Sequence, residues 1–331
     1  MLAGVSSAST RPTIPAFVQT TSAGEADAAT SLRAGLSATA AAIPPWYFYD
    51  VIGSRLFDVI TVLPDYYPTR TEAAILAAHA GDLAAARDVK GCAMIDLGAG
   101  ACDKAPPLFE QVQPRQYVPV DISVDYLRDT VIALQAEHPG VEMIGVGADF
   151  SAELKLPALV HASPQLFFYP GSPIGNFDPA DALGFLQRIC ATMAPDATLW
   201  IGVDLVKDTA VLERAYDDVL GVTAAFNRNI LRNVNRIAGT DFAPADWRHV
   251  SLYNEPEQRI EMHLEAARPV AVRWDGGERR FAAGERIHTE NSYKYTIASF
   301  RELLARAGLR DVGVWTDDRD WFAFFAAAPA S

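Results

Sequence analysis

Cysteine is scarce in this chain. Three in 331 residues, Cys92, Cys102 and Cys190, show no CxxC spacing and leave an odd one over, which argues against a disulfide framework and for a reduced, cytoplasmic compartment. Positive charge is short as well. With 28 Lys and Arg against 41 Asp and Glu the net charge is −13, which removes nucleic acid and anionic membranes as partners, since both require a basic surface. No apolar run approaches the roughly 20 residues of a membrane span. No internal repeat is present. Residues 1–30, rich in Ala, Ser and Thr, lack the basic region and apolar core of a signal peptide, and a flexible tail is expected there.

What is present is a large supply of core. Half the residues are hydrophobic and 21% are charged, which excludes global disorder and suits two domains. The most informative stretch is Ala93-Met-Ile-Asp-Leu-Gly-Ala-Gly-Ala-Cys-Asp-Lys104. A short apolar run ends at Asp96, then turns through Gly98 and Gly100 into an expected helix from Lys104. Glycine there allows tight geometry and close approach of a ligand, and the helix N-terminus offers free N–H groups. Asp103 stands where a dinucleotide fingerprint has its third glycine, which counts against an NAD-dependent oxidoreductase. A second run, Gln116-Tyr-Val-Pro-Val120, ends in Asp121, placed to accept from ribose hydroxyls. A third, Val141–Val146, leads to Asp149 and Phe150, an acid and an aromatic suited to the edge and face of an adenine. Either acid alone could cap a helix. The series in register resembles an S-adenosylmethionine (SAM) site.

Around this centre, apolar strands at 93–97, 116–120, 141–146, 165–169 and 198–203 interleave with helices, one N-capped by Ser123 and one opening at Asp178-Pro179. The pattern predicts a parallel sheet covered on both faces. Ahead of it, Ile43–Asp50 and Leu63–Glu72 are dense in aromatics and prolines and read as a shaped loop, with an Ala-rich helix from Thr71. After Asp208 the rhythm breaks. One helix is expected over 209–235, then antiparallel strands at 248–253, 259–266, 270–274 and 287–295, before the α/β pattern resumes at 299–326. The expected organisation is a tail (1–30), a substrate-binding lid domain (31–70 plus 207–296) lying over the strand ends, where open α/β sheets bind ligands, and a SAM-binding domain (71–206 plus 297–331).

On these residues the chain resembles the histidine-specific SAM-dependent methyltransferases that make hercynine for ergothioneine biosynthesis. The resemblance covers about 43–325. It is carried by Leu63-Pro-Asp-Tyr-Tyr-Pro-Thr-Arg-Thr-Glu72, Pro170-Gly-Ser-Pro-Ile-Gly-Asn-Phe177, Gly202-Val-Asp-Leu-Val-Lys-Asp208, Ala215–Asp218 with Gly221–Asn229, Arg259-Ile-Glu-Met262 and Thr289-Glu-Asn-Ser292. It implies a Rossmann-like class I methyltransferase sheet with a second α+β domain. For the cofactor it implies SAM, with S-adenosylhomocysteine as product, held by Gly98, Gly100, Lys104, Asp121, Asp149 and Phe150, with no metal. For the amino acid it implies Tyr66, Asn176, Tyr216, Thr223, Phe226, Met262, Glu290 and Ser292. Pro173 departs from the family pattern, where threonine is frequent, and removes a backbone donor from the turn that carries Asn176.

Methyl transfer needs a neutral amine, so a proton must leave the substrate first. No buried His–Asp pair is legible, and His263 and His288 read as sheet-surface residues. Water, with Tyr49 or Asn176 as hydrogen-bond partner, is expected to carry the proton out, and positioning to supply most of the catalysis. The expectation is three methylations of L-histidine by a cytoplasmic monomer. The alternatives are methylation of another amino acid or small amine, or a noncatalytic SAM-binding protein.

Overall fold

The structure, a computed structural model, describes residues 14–20, 25–122, 124–150 and 153–330. It begins with strand β1 (Ala16–Gln19) and helix α1 (Glu25–Ser37), then a 3-10 turn at Pro45–Phe48. Helices α2 (Val51–Thr61) and α3 (Tyr67–Ala86) follow. The α/β stretch comprises β2 (Ala93–Leu97), the single-turn α4 (Phe109–Val112), β3 (Gln116–Asp121) and α5 (Val124–Glu137). It continues through β4 (Glu142–Gly147), β5 (Gln165–Tyr169), α6 (Pro179–Thr192) and β6 (Thr198–Asp204). Helices α7 (Thr209–Tyr216) and α8 (Val222–Ala238) lead to β7 (Trp247–Asn254), β8 (Arg259–Ala266), β9 (Val270–Trp274), β10 (Gly277–Phe281) and β11 (Arg286–Tyr293). Helix α9 (Ile297–Arg306) and strands β12 (Leu309–Thr316) and β13 (Phe322–Pro329) close the chain.

Eight strands form one sheet in the order β1-β4-β3-β2-β5-β6-β13-β12. All its pairings are parallel except those of β13, which runs against both β6 and β12. From β4 to β12 this is the class I methyltransferase sheet expected from the sequence. Buried apolar clusters lie on its two faces, one around Ile95, Phe167 and Phe325, the other around Met94, Phe168 and Phe324. The odd and even residues of the central strands therefore face opposite layers, as the two-residue period requires. A third apolar core gathers Leu32, Ile43, Phe48 and Tyr67 with Phe226, Ile230, Met262 and Ile287, so the N-terminal aromatic segment and the later insertion pack together. Strands β11, β8 and β7 form a separate antiparallel sheet there, and β9 pairs with β10, a strand that the alternation pattern did not reveal.

Several expectations are corrected. Where a tail was expected over 1–30, Ala16–Gln19 joins the sheet edge beside β4 and α1 begins at Glu25. The segment 43–72 is mostly helical rather than a loop. Pro45 and Pro68 sit in the first turns of their helices, where a missing N–H costs nothing, and the Asp50 carboxylate caps α2 by accepting from Gly53 N at 2.7 Å. Conversely, no long helix follows Lys104. A 3-10 turn at Pro106–Leu108 and one α turn are all that Pro106-Pro107 and the left-handed Gln113 leave room for. The helix expected over 209–235 is broken at Asp217–Gly221, where Gly221 has φ 72° and the Asp218 carboxylate takes the N–H groups of Val222 and Thr223. Asp178 makes no capping bond to α6. Its carboxylate instead accepts from Asn291 and from the Tyr293 hydroxyl, tying the start of α6 to β11. The expected Ser123 cap lies outside the described residues.

The two layers meet at defined points. Leu205, just past β6, bridges Tyr295, and Ala42 bridges His288. The 3-10 turn Pro173–Asn176 presses on β11. A Cβ at Gly175 would lie 2.7 Å from the Tyr293 carbonyl oxygen, too close for any side chain. Gly175→Ala is therefore expected to cost about 1–3 kcal/mol, the usual range for overpacking. A denaturation curve with a lower midpoint at unchanged slope checks it.

Candidate active site

The cofactor side is built at the carboxyl ends of β2, β3, β4 and β5. Gly98 (φ 71°) and Gly100 (φ 52°) adopt left-handed conformations. The N–H groups of Gly98 and Ala99 donate to the Val120 carbonyl, and Gly100 N donates to Asp121 Oδ2 at 3.2 Å. The other Asp121 oxygen accepts from Ile122 N at 2.8 Å. The carboxylate thus holds the glycine turn at the end of β3. Phe150 packs over the turn: a Cβ on Gly98 would meet its ring at 3.5 Å. Its ring contacts Tyr169 and Phe185, both at 6.2 Å between centroids. Asp149 lies beside it, at the end of the loop after β4. Asp96 points elsewhere. It is buried, bonded by the Tyr117 hydroxyl at 2.7 Å, and burial pushes its carboxyl up to about 7.

Lys104 does not open a helix here, yet it is fixed in place. Its ammonium donates to Glu72 Oε2 at 2.8 Å, while Glu72 Oε1 accepts from Gly171 N at 2.6 Å. Glu72 is 1% exposed and sits so close to β6 that a Cβ on Gly202 would lie 2.3 Å from its oxygen. Glu72 was quoted within the Leu63–Glu72 block but given no role. Its signal was an acid in an otherwise Ala-rich apolar helix face. Beside the left-handed glycine turn, the Asp121 carboxylate, the Phe150 ring and the tethered Lys104 ammonium fit the parts of SAM. These residues would hold it through its ribose, adenine and amino-acid carboxylate respectively.

The second half of the site lies where the third core meets the sheet. Phe226 stacks on Phe48 at 4.6 Å, with Tyr49 and Phe57 around it at 5.8 and 6.0 Å. Tyr66 stands edge-on to Tyr216 at 6.3 Å. Met262 and Glu290 are register partners on β8 and β11. A bulge between His288 and Glu290 resets the alternation, so that Thr289, Glu290 and Ser292 are all buried. The two-residue spacing places Glu290 and Ser292 on one face, as expected. Thr223 sits in the first turn of α8, tied through its N–H to Asp218. Burial would raise the Asp218 carboxyl, but the N–H groups of Thr223 and Val222 hold it below its ordinary value.

Among the described residues no hydrogen bond reaches the buried Thr223 hydroxyl, the hydroxyls of Tyr49 and Tyr66, the Asn176 amide or the Glu290 carboxylate. Glu290 is 7% exposed, and burial raises its carboxyl to about 7 against the opposing pull of Lys294. A buried carboxylate without a donor is costly, so its retention points to a ligand that supplies one. Tyr49 packs edge-on against Phe57 and Phe226 at 5.7 and 5.8 Å and is 46% exposed. Pro173 occupies the first position of its 3-10 turn, where the lost N–H was not needed, and Asn176 stays at the turn's end against β11.

Behind the pocket runs a buried ionic network that the sequence did not disclose. Asp204, at the end of β6, accepts from the Tyr67 hydroxyl at 2.7 and 2.9 Å and pairs with Lys207 at 2.6 Å and Lys294 at 2.9 Å. Burial would raise its carboxyl, but the two ammonium groups hold it below the ordinary range. Lys294 is driven the other way: burial would lower it, and Asp204 and Tyr216 keep it protonated. Lys207 is pushed down to about 8 by burial, despite Asp204. The histidines take structural roles. His249 is buried, bonded to the Tyr216 carbonyl at 2.9 Å and to Asn227 at 2.8 Å, and burial lowers its pKa. His263 contacts Glu261 and His288 contacts Asn291. A groove of about 540 Å³ beside Val62 and Arg70 is lined by none of these residues.

Comparison with known proteins shows the family. Residues 28–329 match the family model described as histidine-specific methyltransferase, SAM-dependent. The chain is 43% identical over 293 residues to the histidine N-alpha-methyltransferase of Mycolicibacterium smegmatis, covering 86% of this chain and 90% of that protein. It is 40% identical over 300 residues to the histidine N-alpha-methyltransferase of Mycobacterium tuberculosis, covering 89% and 92%. Ergothioneine biosynthesis protein 1 of Neurospora crassa is 32% identical over 83% of this chain, which spans only 32% of that longer protein. The match over residues 28–329 and the similarity over most of the chain show one conclusion: the chain belongs to the histidine-specific, SAM-dependent methyltransferases.

Proposed function

We propose that this enzyme methylates the α-amino group of L-histidine, three times in succession, to give hercynine on the way to ergothioneine. The observation that carries the reading is Glu290, a buried carboxylate lacking a donor, beside the Ser292 hydroxyl and inside an aromatic pocket. An imidazole brings an N–H for the carboxylate and a second nitrogen for the hydroxyl. The names of the relatives support the same substrate.

SAM supplies an electrophilic methyl group. The chain's residues have to bind the amino acid, orient its nitrogen and let a proton go. Asn176, Tyr66 and Tyr216 are assigned to the amino and carboxylate ends. Thr223, Phe226 and Met262 shape the wall that admits an imidazole and a growing ammonium. No histidine is assigned as a base in this reading. His249 is held neutral and bonded at both nitrogens. Water beside Tyr49 or Asn176 carries the proton out, and rate enhancement comes from orientation. In this reading residues 31–70 and 207–296 act as a substrate domain over a SAM domain of 71–206 and 297–331. The enzyme works as a cytoplasmic monomer, in keeping with its three free cysteines.

The test is incubation with labelled SAM and each of the twenty amino acids, for the wild type and for Glu290→Ala. Histidine is expected to be preferred by the wild type. The variant should lose a large part of kcat/KM for histidine and narrow the gap to phenylalanine and tryptophan, because a site built to hydrogen-bond its substrate can reject an analogue by as much as about 10⁴–10⁵. A histidine preference that survives intact moves the specificity pocket away from Glu290.

Asp121→Ala removes both the ribose acceptor and the tether on Gly100. Charge-assisted bonds contribute about 1.5–3 kcal/mol each, so SAM affinity should fall at least roughly tenfold in calorimetry, with the melting temperature as folding control.

Glu290 also predicts a pH dependence of stability. Its carboxyl stands near 7 in the folded protein against 4.5 ordinarily, so the folded state binds more protons than the unfolded chain between those values. Stability from the protonated form is complete below about 4.5 and is lost as pH rises through 7. Glu290→Gln should therefore match the wild type at pH 4.5 and exceed it at pH 8, by up to about 3 kcal/mol. Paired melts across that range measure the difference.

A further inference from the structure

Lys294 lies one residue past β11, where the chain crosses from the antiparallel sheet to the end of β6. Its backbone N–H donates to the Gln258 carbonyl, and the next residue pairs with Asp204 and Val206. The side chain is 1% exposed. An ammonium has three hydrogens and no acceptor, and here each has a partner: Asp204 Oδ2 at 2.9 Å, Ser292 Oγ at 2.7 Å and the Tyr216 hydroxyl at 3.1 Å. The Tyr216 and Ser292 oxygens are themselves 2.7 Å apart and share a hydrogen bond.

Counting hydrogens gives the consequence. The two hydroxyls hold two hydrogens between them. One lies in the bond that joins them, and both oxygens already accept from Lys294. The second hydrogen cannot point back at the ammonium, and no described residue accepts it. It has to face the pocket. An ordinary hydroxyl pair can turn either end outward, as donor or acceptor, and a bound water would satisfy both. The ammonium occupies one lone pair of each oxygen, so the pair keeps a single outward donor, carried by whichever hydroxyl does not donate within the pair, and one lone pair on the other oxygen.

We propose that Lys294 is a positioning residue which orients the Tyr216–Ser292 hydroxyl pair so that it presents a single hydrogen-bond donor to an acceptor atom of the amino-acid substrate. The inference rests on the histidine-methyltransferase reading and adds the residue that prepares its hydroxyls. Asp204 is what allows a charge at this depth. It neutralises Lys294, and its remaining bonds to Lys207 and Tyr67 mean that it is not left bare when Lys294 is replaced.

The experiment is a mutant cycle in the full-length enzyme, with histidine and SAM as substrates. Lys294→Met is made in the wild type and in a Tyr216→Phe/Ser292→Ala background, and kcat, KM for histidine and SAM affinity are measured in all four proteins. In the wild-type background the substitution should reduce kcat/KM for histidine about 10- to 100-fold, the range for bonds made by a charged group. The loss should appear mainly in KM, with SAM affinity within about twofold. In the background lacking both hydroxyls the same substitution should cost less than about threefold, because its targets are gone. An equal loss in both backgrounds overturns the proposal, since it would show a general structural or field effect. A loss of SAM affinity that matches the loss in kcat/KM overturns it as well. If Lys294→Met does not fold, Lys294→Gln, which keeps amide donors on a similar stem, is carried through the same cycle against the same criteria. Absence of turnover with histidine in the wild type would instead refute the substrate assignment, and so is distinguishable from failure of the cycle.

Discussion

The Asp204 carboxylate is the point on which the two halves of this enzyme depend. It sits at the end of β6, wholly removed from water, and takes hydrogen bonds from Tyr67 on α3, Lys207 in the loop after β6 and Lys294 beyond β11. Its own backbone N–H donates to Ser172, in the turn that carries Asn176. One residue thus touches the sheet, the helix that bears Glu72, the Asn176 turn and the strand that bears Glu290. A buried carboxylate is tolerated only when it is paired and hydrogen-bonded. That requirement couples the four segments: none can move far without exposing a charge.

A second constraint acts on the pocket wall. Breaking the helix at Asp217–Gly221 leaves Tyr216 at the end of α7, facing Ser292, and lets α8 start afresh with Phe226 turned toward Phe48. The buried Asn227 side chain then ties α8 to three strands. It bonds His249 on β7, the His263 carbonyl on β8 and Thr289 on β11. Thr289 is the bulge residue next to Glu290. The position of the Glu290 carboxylate is accordingly set from behind, by a neutral polar hub, while no donor among the described residues reaches it. Polar groups satisfied on one side and unsatisfied on the other distinguish a binding site from a core.

Much of the sheet was legible because strand signals are local. Short apolar runs ending in Asp or Gly recur at the spacing of βαβ units, and Gly98, Gly100 and Asp121 follow from backbone conformation and diol chemistry. The helical N-terminal segment was misread, since Pro45 and Pro68 interrupt a helix or begin one depending on where the cap falls, and only the Asp50 contact decides that. The helix after Lys104 failed for the opposite reason. Its residues permit a first turn, but Pro106-Pro107 and the left-handed Gln113 confine it to one. The edge strand at Ala16–Gln19 is too short to stand out in a stretch of small polar residues and exists through its pairing with β4.

By itself, the sequence determined the parallel sheet, the glycine turn, the acids at the strand ends, and the motif blocks that mark the family. These are written in neighbouring residues, where periodicity and backbone preference act. The tertiary structure alone decided that Glu72 holds Lys104, that Asp204 gathers Tyr67, Lys207 and Lys294, and that Lys294 commits the hydroxyls of Tyr216 and Ser292. Glu72 and Lys104 stand 32 residues apart and Tyr67 and Asp204 137, and a lysine or an acid on its own reads as solvated surface. Burial gives each of them its meaning, because only where water is excluded must every charge find a specific partner.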